Sequence, residues 1–188
     1  MQCDNLKYQD LEWCDGDVNL PGIRGIVRAI AKRDILKWPT LPKTVLTDMG
    51  ILATYTGDFV LAAGAVWRNV GIIVDKSPVE SKSQGVRPSK TFLNTATLLH
   101  PGTGEAATGF ARQANNDDMV YIVQQKDGKF RVLGNDMYQT DTTFDQKLGG
   151  AATDEMGTTF TVTVTDVCPA PFYIGEIVTA DGIINAAA

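Results

Sequence analysis

Apolar and polar residues alternate without a break over residues 158–164. Phe160, Val162 and Val164 fall on one side, and Thr159, Thr161 and Thr163 on the other. Successive side chains of a strand point to opposite faces, so this stretch predicts a strand with one face in a core and one toward water. Asp166 and Val167 interrupt the alternation, which predicts a bulge or the strand's end. A second signal spans residues 118–134, where the apolar runs 119–123 and 130–133 flank a polar stretch. Their β-branched and aromatic residues fit a pleated surface, and Asp127-Gly128 between them offers the two positive-φ positions of a tight primed turn. This predicts a β-hairpin.

Elsewhere the pattern is weaker. Residues 1–24 are polar and irregular and predict an N-terminal arm, with Leu11 and Trp13 available to pin it. Residues 25–31 suit a strand, although residues 29–36 also fit a helical turn. In Lys37-Trp38-Pro39-Thr40-Leu41-Pro42 the prolines enforce extended geometry and predict an exposed linker with an aromatic anchor. Residues 57–61 and 66–75 read as strands joined through Ala62-Ala63-Gly64-Ala65 into a second hairpin. Residues 76–90 have no apolar periodicity and predict a long polar loop, of a length that is usually functional or disordered. A strand over residues 90–100 ends at Pro101-Gly102. Thr103 then caps a short helix near residues 105–114, with Glu105 against its dipole and Ala107, Phe110, Ala111 and Ala114 as a narrow apolar stripe. Met137, Tyr138 and Phe144 are packing positions in an otherwise polar stretch. Cys168-Pro169-Ala170-Pro171 reads as extended, residues 172–178 as a last strand, and Asp181-Gly182 as a turn.

Together these elements predict a mainly β fold, a β-sandwich or barrel-like sheet with one short flanking helix, a long loop and extended terminal arms. The expected organisation is an arm over residues 1–24, one β-rich domain over 25–179 and a tail over 180–188. With 188 residues and 44% hydrophobic content the chain can bury one good core. No apolar run approaches the roughly 20 residues that span a bilayer. The start lacks the basic and apolar stretches of a secretory signal, so cytoplasmic synthesis is expected.

Charge and candidate chemistry narrow the function. The net charge is −5, from 17 basic against 22 acidic residues, which disfavours tight binding to phosphates. Cys3, Cys14 and Cys168 show no pairing pattern and read as reduced thiols. With a single histidine, His100, beside Pro101, neither a metal site nor a histidine-dependent nucleophile has the residues it needs. Asp117-Asp118 and Asp154-Glu155 read as turn caps. Gly102-Thr103-Gly104 lacks the further glycines and lysine of a phosphate cradle. No catalytic residue, cofactor or metal is therefore expected. Aromatics in turn-rich stretches, by contrast, suit contacts between subunits.

The order of these motifs resembles a known family. It runs from Ile35-Leu36-Lys37-Trp38-Pro39-Thr40-Leu41-Pro42 through Ser83-Gln84-Gly85 and His100-Pro101-Gly102-Thr103. It continues with the Asp127-Gly128-Lys129 hairpin and ends in Cys168-Pro169-Ala170-Pro171-Phe172-Tyr173. From about Gly22 to Tyr173 the chain resembles structural proteins of tailed phages and prophages of the Bacteroidetes type, tail tube subunits in particular. The resemblance implies a virion protein assembled in the bacterial cytoplasm. Its hexameric rings would stack into a hollow tube that passes DNA without gripping it. Its partners would be itself and other tail or head proteins, with no membrane. A capsid decoration or head–tail joining protein is the alternative in the same setting, and a small β-sandwich binding module or enzyme the alternative outside it. On this reading Trp13, Trp38, Lys82, Gln84, Arg87, Phe172 and Tyr173 are the expected subunit-interface residues. The loop at 76–90 is expected to be mobile until a neighbour orders it.

Overall fold

The computed structural model describes residues 8–43 and 48–185. The expectations for Cys3 and the last residues of the tail lie outside that range. In chain order the strands are β1 (Ile26–Ala31), β2 (Ile35–Lys37), β3 (Thr54–Tyr55), β4 (Val60–Leu61), β5 (Arg68–Gly71), β6 (Val79–Gln84) and β7 (Thr91–His100). The helix α1 (Glu105–Ala114) follows. Then come β8 (Met119–Gln124), β9 (Phe130–Leu133), β10 (Thr140–Lys147), β11 (Gly157–Asp166), β12 (Phe172–Tyr173), β13 (Glu176–Thr179) and β14 (Gly182–Asn185). The fold is mainly β, as predicted.

Two sheets carry the architecture. One has six strands in the order β3-β12-β9-β8-β1-β5, the other four in the order β10-β11-β7-β6. They pack face to face. Val27, Ala29, Tyr121, Val123 and Leu133 of the first meet Ala96, Leu98, Phe160, Val162 and Val164 of the second. The alternation at Phe160, Val162 and Val164 is therefore the inner face of β11. The stripe on α1 packs beside it, with Phe110 edge-on to Phe144 and tilted against Phe160.

The six-stranded sheet is covered a second time on its other face. There Ile30, Val120, Ile122, Phe130 and Val132 pack against Ile35, Tyr55, Phe59, Trp67, Tyr173 and Ile177. This explains why the run 119–123 is continuously apolar: a strand buried on both faces has no side to leave polar. Each such side chain contributes about 1.5–3 kcal/mol relative to exposure.

Several expectations need correction. The loop at 118–134 is a hairpin, but not with a primed turn. Gly128 has φ +98°, the only positive φ recorded in its turn, and its N–H donates to Gln125 O. The Asp127 side chain accepts from Lys129 N–H, so Asp127 braces an ordinary turn followed by a left-handed glycine. Residues 62–65 do form a tight turn, yet β4 pairs with β2 and β5 pairs with β1, so no hairpin results. Residues 29–36 are not helical beyond a single 3-10 turn at Lys32–Asp34. Residues 79–84 of the supposed loop are β6, paired with β7 along its whole length, so the predicted mobility is withdrawn for them. The linker at 37–42 is not exposed throughout: Pro39 is buried and Thr40 bridges Thr56. Gly104, not Thr103, is the N-cap of α1. Residues 168–171 bend, with Ala170 at φ +23°, and the expected last strand splits into β12 and β13, which join different sheets.

Candidate functional site

The broadest designed-looking surface is the outer face of the four-stranded sheet. The register fixes its composition row by row. Asp141, Thr163, Thr95 and Glu80 stand side by side across the four strands. Thr143, Thr161 and Thr97 form the next row. Thr165, Leu93 and Lys82 form another, and Asp145 pairs with Thr159. The face is thus a field of hydroxyls with carboxylates at Glu80, Asp141 and Asp145 against ammonium groups at Lys82 and Lys147. Lys82 pairs with Glu80 at 2.9 Å. No cluster of basic groups stands on it.

Both borders of this sheet are open among the described residues, because β10 and β6 each have one strand neighbour. Thr97 N–H donates to Pro78 O, and antiparallel alternation then turns the N–H and C=O groups of Val79, Ser81 and Ser83 outward from β6. The absence of an apolar pattern in β6 follows from this position, since an edge strand with water around it buries little.

The expected interface residues separate into three groups. Trp13 (67% exposed), Lys82 and Arg87 are exposed at the surface, Lys82 in its ion pair with Glu80. Gln84 is half-buried on β6, where its amide donates to Thr91 and Thr165 hydroxyls and braces the sheet. Tyr173 and Trp38 belong to the chain's own core. Tyr173 is 1% exposed and its hydroxyl donates to Glu176 O at 2.8 Å, while Trp38 packs edge-on to Phe59 at 5.3 Å. Two aromatics read as anchors for a neighbour are therefore anchors of the fold.

Phe172 lies elsewhere, in a basic patch at the tip of the β8–β9 hairpin. The Arg131 guanidinium stacks 3.9 Å from its ring centroid, and the Lys129 ammonium lies 5.7 Å away. Arg131 also donates to Ala170 O, which fixes the stack. Arg24 donates to Lys126 O and its side chain lies beside Gly128. Two cations, Arg131 and Lys129, thus lie over the Phe172 ring, and Arg24 and Lys126 stand at the same hairpin tip, with Asp127 the acid among them.

The titratable groups have structural settings. A cleft of about 840 Å³ is lined by Trp38, Tyr55, Asp136, Asp166 and Cys168 among others. Burial pushes the Cys168 thiol up to about 11, helped by Asp166, so it is not a reactive thiolate at neutral pH. Burial likewise raises Asp166, whose Oδ1 accepts from Val167 N–H and whose Oδ2 has no partner. His100 Nδ1 sits 2.7 Å from Gly71 O. Asp117 and Asp118 pair with Arg33 and Lys32. Asp154 caps Gly150 and Ala151 N–H groups, which lower its pKa, and Glu155 pairs with Lys76. Among the described residues no group of three or more His, Cys, Asp or Glu side chains is placed to hold a metal. No helix of the described residues is long and apolar enough to cross a membrane.

Sequence reasoning missed the open sheet borders and the basic patch. The first carries no apolar signal, and the second is assembled by strand pairing from residues 24, 126, 129, 131 and 172. No protein-family model, curated protein or solved structure matches the chain.

Proposed function

We propose that this chain is a non-catalytic virion subunit of the tail tube kind, which assembles side by side into rings whose inner wall is the outer face of the four-stranded sheet. The observation that carries the reading is that sheet's two open borders. Its strands alternate in direction, and an even number of them leaves β10 and β6 antiparallel to one another. Copies related by rotation about an axis along the strands then bring β6 of one beside β10 of the next in antiparallel order. The pattern continues across the junction without a break. Such a contact joins two different surfaces, and it forms a ring where the rotation between copies closes.

The face that would line the ring supports the same reading. Hydroxyl rows with scattered carboxylates, and with Lys82 already paired to Glu80, offer a polyanion little to bind, because affinity for nucleic acid comes chiefly from lysine and arginine on phosphates. The resemblance to tail tube subunits supplies the biological setting and a hexameric count. The test is electron microscopy of the purified protein with a border variant. Ser83→Pro removes an outward N–H from β6 and leaves its bonds to β7 intact. Rings or tubes in the wild-type protein, lost in a folded Ser83→Pro variant, support the proposal. Wild-type rings that survive the substitution unchanged sink the border model.

A further inference from the structure

We propose that the basic tip of the β8–β9 hairpin receives the acidic N-terminal arm of a second copy of this chain. The inference sharpens the assembly reading above, on which it rests, but uses a different surface.

The arm is unusual for a segment lying in water. Over residues 8–20 it carries Tyr8, Leu11, Trp13, Val18 and Leu20, all exposed, with Leu11 95% open to solvent. The same stretch holds Asp10, Glu12, Asp15 and Asp17 and no lysine or arginine. None of these acids takes part in the ion pairs of the described residues, which join Lys32, Arg33, Lys76 and Lys82 to acids elsewhere. Acids and apolar groups interleaved along an exposed segment call for a receiving surface that is basic and aromatic.

The hairpin tip has that chemistry. Lys129 and Arg131 lie over Phe172, Arg24 and Lys126 stand beside them at the hairpin tip, and none of the four takes part in those ion pairs either. The stacked Arg131 is held in place before anything binds, which lowers the cost of ordering it. Trp13 is suited to the Lys129 and Phe172 side of the patch, where a ring meets a cation.

Geometry favours a second copy over the arm's own body. The arm leaves the body at Gly22, whose carbonyl accepts Lys126 N–H, so its root lies beside the patch. Its far end meets its own body at Met49, whose N–H donates to Gln9 Oε1. Between these two ends the arm turns at Asp15-Gly16 and is not seated on its own body, where Tyr8 and Leu11 are 96% and 95% exposed, so a second copy is left to cover it. The arm of one copy on the patch of the next is a contact between unlike surfaces, which can repeat from copy to copy.

The test is a charge swap read by sedimentation velocity at low and high salt. Lys126→Glu with Lys129→Glu lies on an exposed turn and spares the core. It should weaken self-association by about tenfold or more. Adding Asp10→Lys and Glu12→Lys should restore it. In parallel, Lys129→Cys in a Cys3→Ser background should trap a disulfide with Cys14 that runs as a dimer or ladder, not as a monomer. An unchanged association constant in the Lys126→Glu, Lys129→Glu variant overturns the proposal, as does failure of the swap to restore it. A disulfide confined to monomers shows the arm folding back on its own patch and also overturns it. So does loss of binding to a DNA duplex, in place of loss of self-association, since the patch is then a phosphate site. Rings that persist while lengthwise association fails leave the ring reading standing. Trapped arms without rings remove that reading and keep this one.

Discussion

Replacing Phe59 by alanine should cost the monomer about 3–5 kcal/mol, the range for deleting a buried phenylalanine with its cavity. Phe59 is 6% exposed and stands at the centre of four aromatic contacts. Its ring centroid is 4.9 Å from Tyr173, 5.3 Å from Trp38 and from Trp67, and 6.3 Å from Tyr55. Each such pair adds about 0.5–1.5 kcal/mol beyond area burial. These gains overlap with the cavity cost, so they place the expected value toward the upper end and are not added to it. Trp38→Ala should cost less, about 1–3 kcal/mol, because that ring is only half-buried. Urea unfolding followed by tryptophan fluorescence is the assay, since two of the tryptophans touch the deleted ring. With a slope of about 1–3 kcal/mol per molar, the Phe59→Ala midpoint should fall by about 1–5 M at unchanged slope. A cost below about 1 kcal/mol for both variants, together with loss of assembly, would refute the reasoning. Trp38 would then be an anchor for a neighbour and not part of this chain's core.

Other perturbations follow from single groups. Arg28 is 6% exposed, its Nε and Nη1 lack partners, and burial lowers its pKa. Arg28→Met gives up a contact 5.2 Å from the Phe130 ring but should gain about 1–2 kcal/mol net by removing an unpaired buried charge; a loss measured by urea unfolding would contradict this. For Asp166 the folded pKa is raised, so the folded chain holds the proton more tightly. Its contribution to stability is present below the unfolded carboxylate value of about 4 and is lost as pH rises through the folded one. Asp166→Asn should become progressively more favourable relative to wild type across that window, and a difference in melting temperature that is flat from pH 4 to 8 would rule the argument out. At Gly175 a β-carbon would overlap Asp58 Oδ1 and the Tyr173 hydroxyl. Gly175→Ala should cost about 1–3 kcal/mol by overpacking, with the Asp58–Glu176 bond disturbed. Thermal unfolding of Gly175→Ala at the wild-type temperature would show that the backbone there gives way easily.

Local signals were legible where one face of an element is wet and the other dry. β11 announces itself through Phe160, Val162 and Val164 against four threonines, and α1 through a stripe of small and aromatic residues. The same logic hides other elements. β8 is dry on both faces, so its period vanishes even though its strand character survives. β6 is wet along most of its length, so Glu80, Ser81, Lys82 and Ser83 look like a loop until β7 supplies their hydrogen bonds. β4 and β5 are neighbours in sequence, yet their partners lie upstream, and nothing local to Ala62 and Gly64 distinguishes a hairpin turn from a crossing between sheets. Trp38 and Tyr173 were misjudged for a related reason. Proline-rich flanks suggest exposure, whereas here Pro39 is buried beside Trp38, which packs against the second face of the large sheet, and the bend at Ala170 leads into β12, a strand of that sheet.

That second covering layer also decides where assembly has room to act. The six-stranded sheet ends in β3, two residues long, and β5, four residues long. Short borders offer a neighbour few hydrogen bonds. The four-stranded sheet ends in β10 and β6, of eight and six residues. Long open borders invite indiscriminate pairing unless side chains discriminate. Two β10 strands laid antiparallel about Thr143 would set Asp141 of each opposite Asp145 of the other, and like charges directly opposed are destabilising. β6 brings Lys82 instead, with Lys147 on β10 available to Glu80. Opposite charges are therefore obtainable in the unlike pairing, whereas the pairing of two β10 strands about Thr143 sets carboxylate against carboxylate. For the proposed ring, this bias disfavours one like pairing and leaves the unlike β6–β10 contact open.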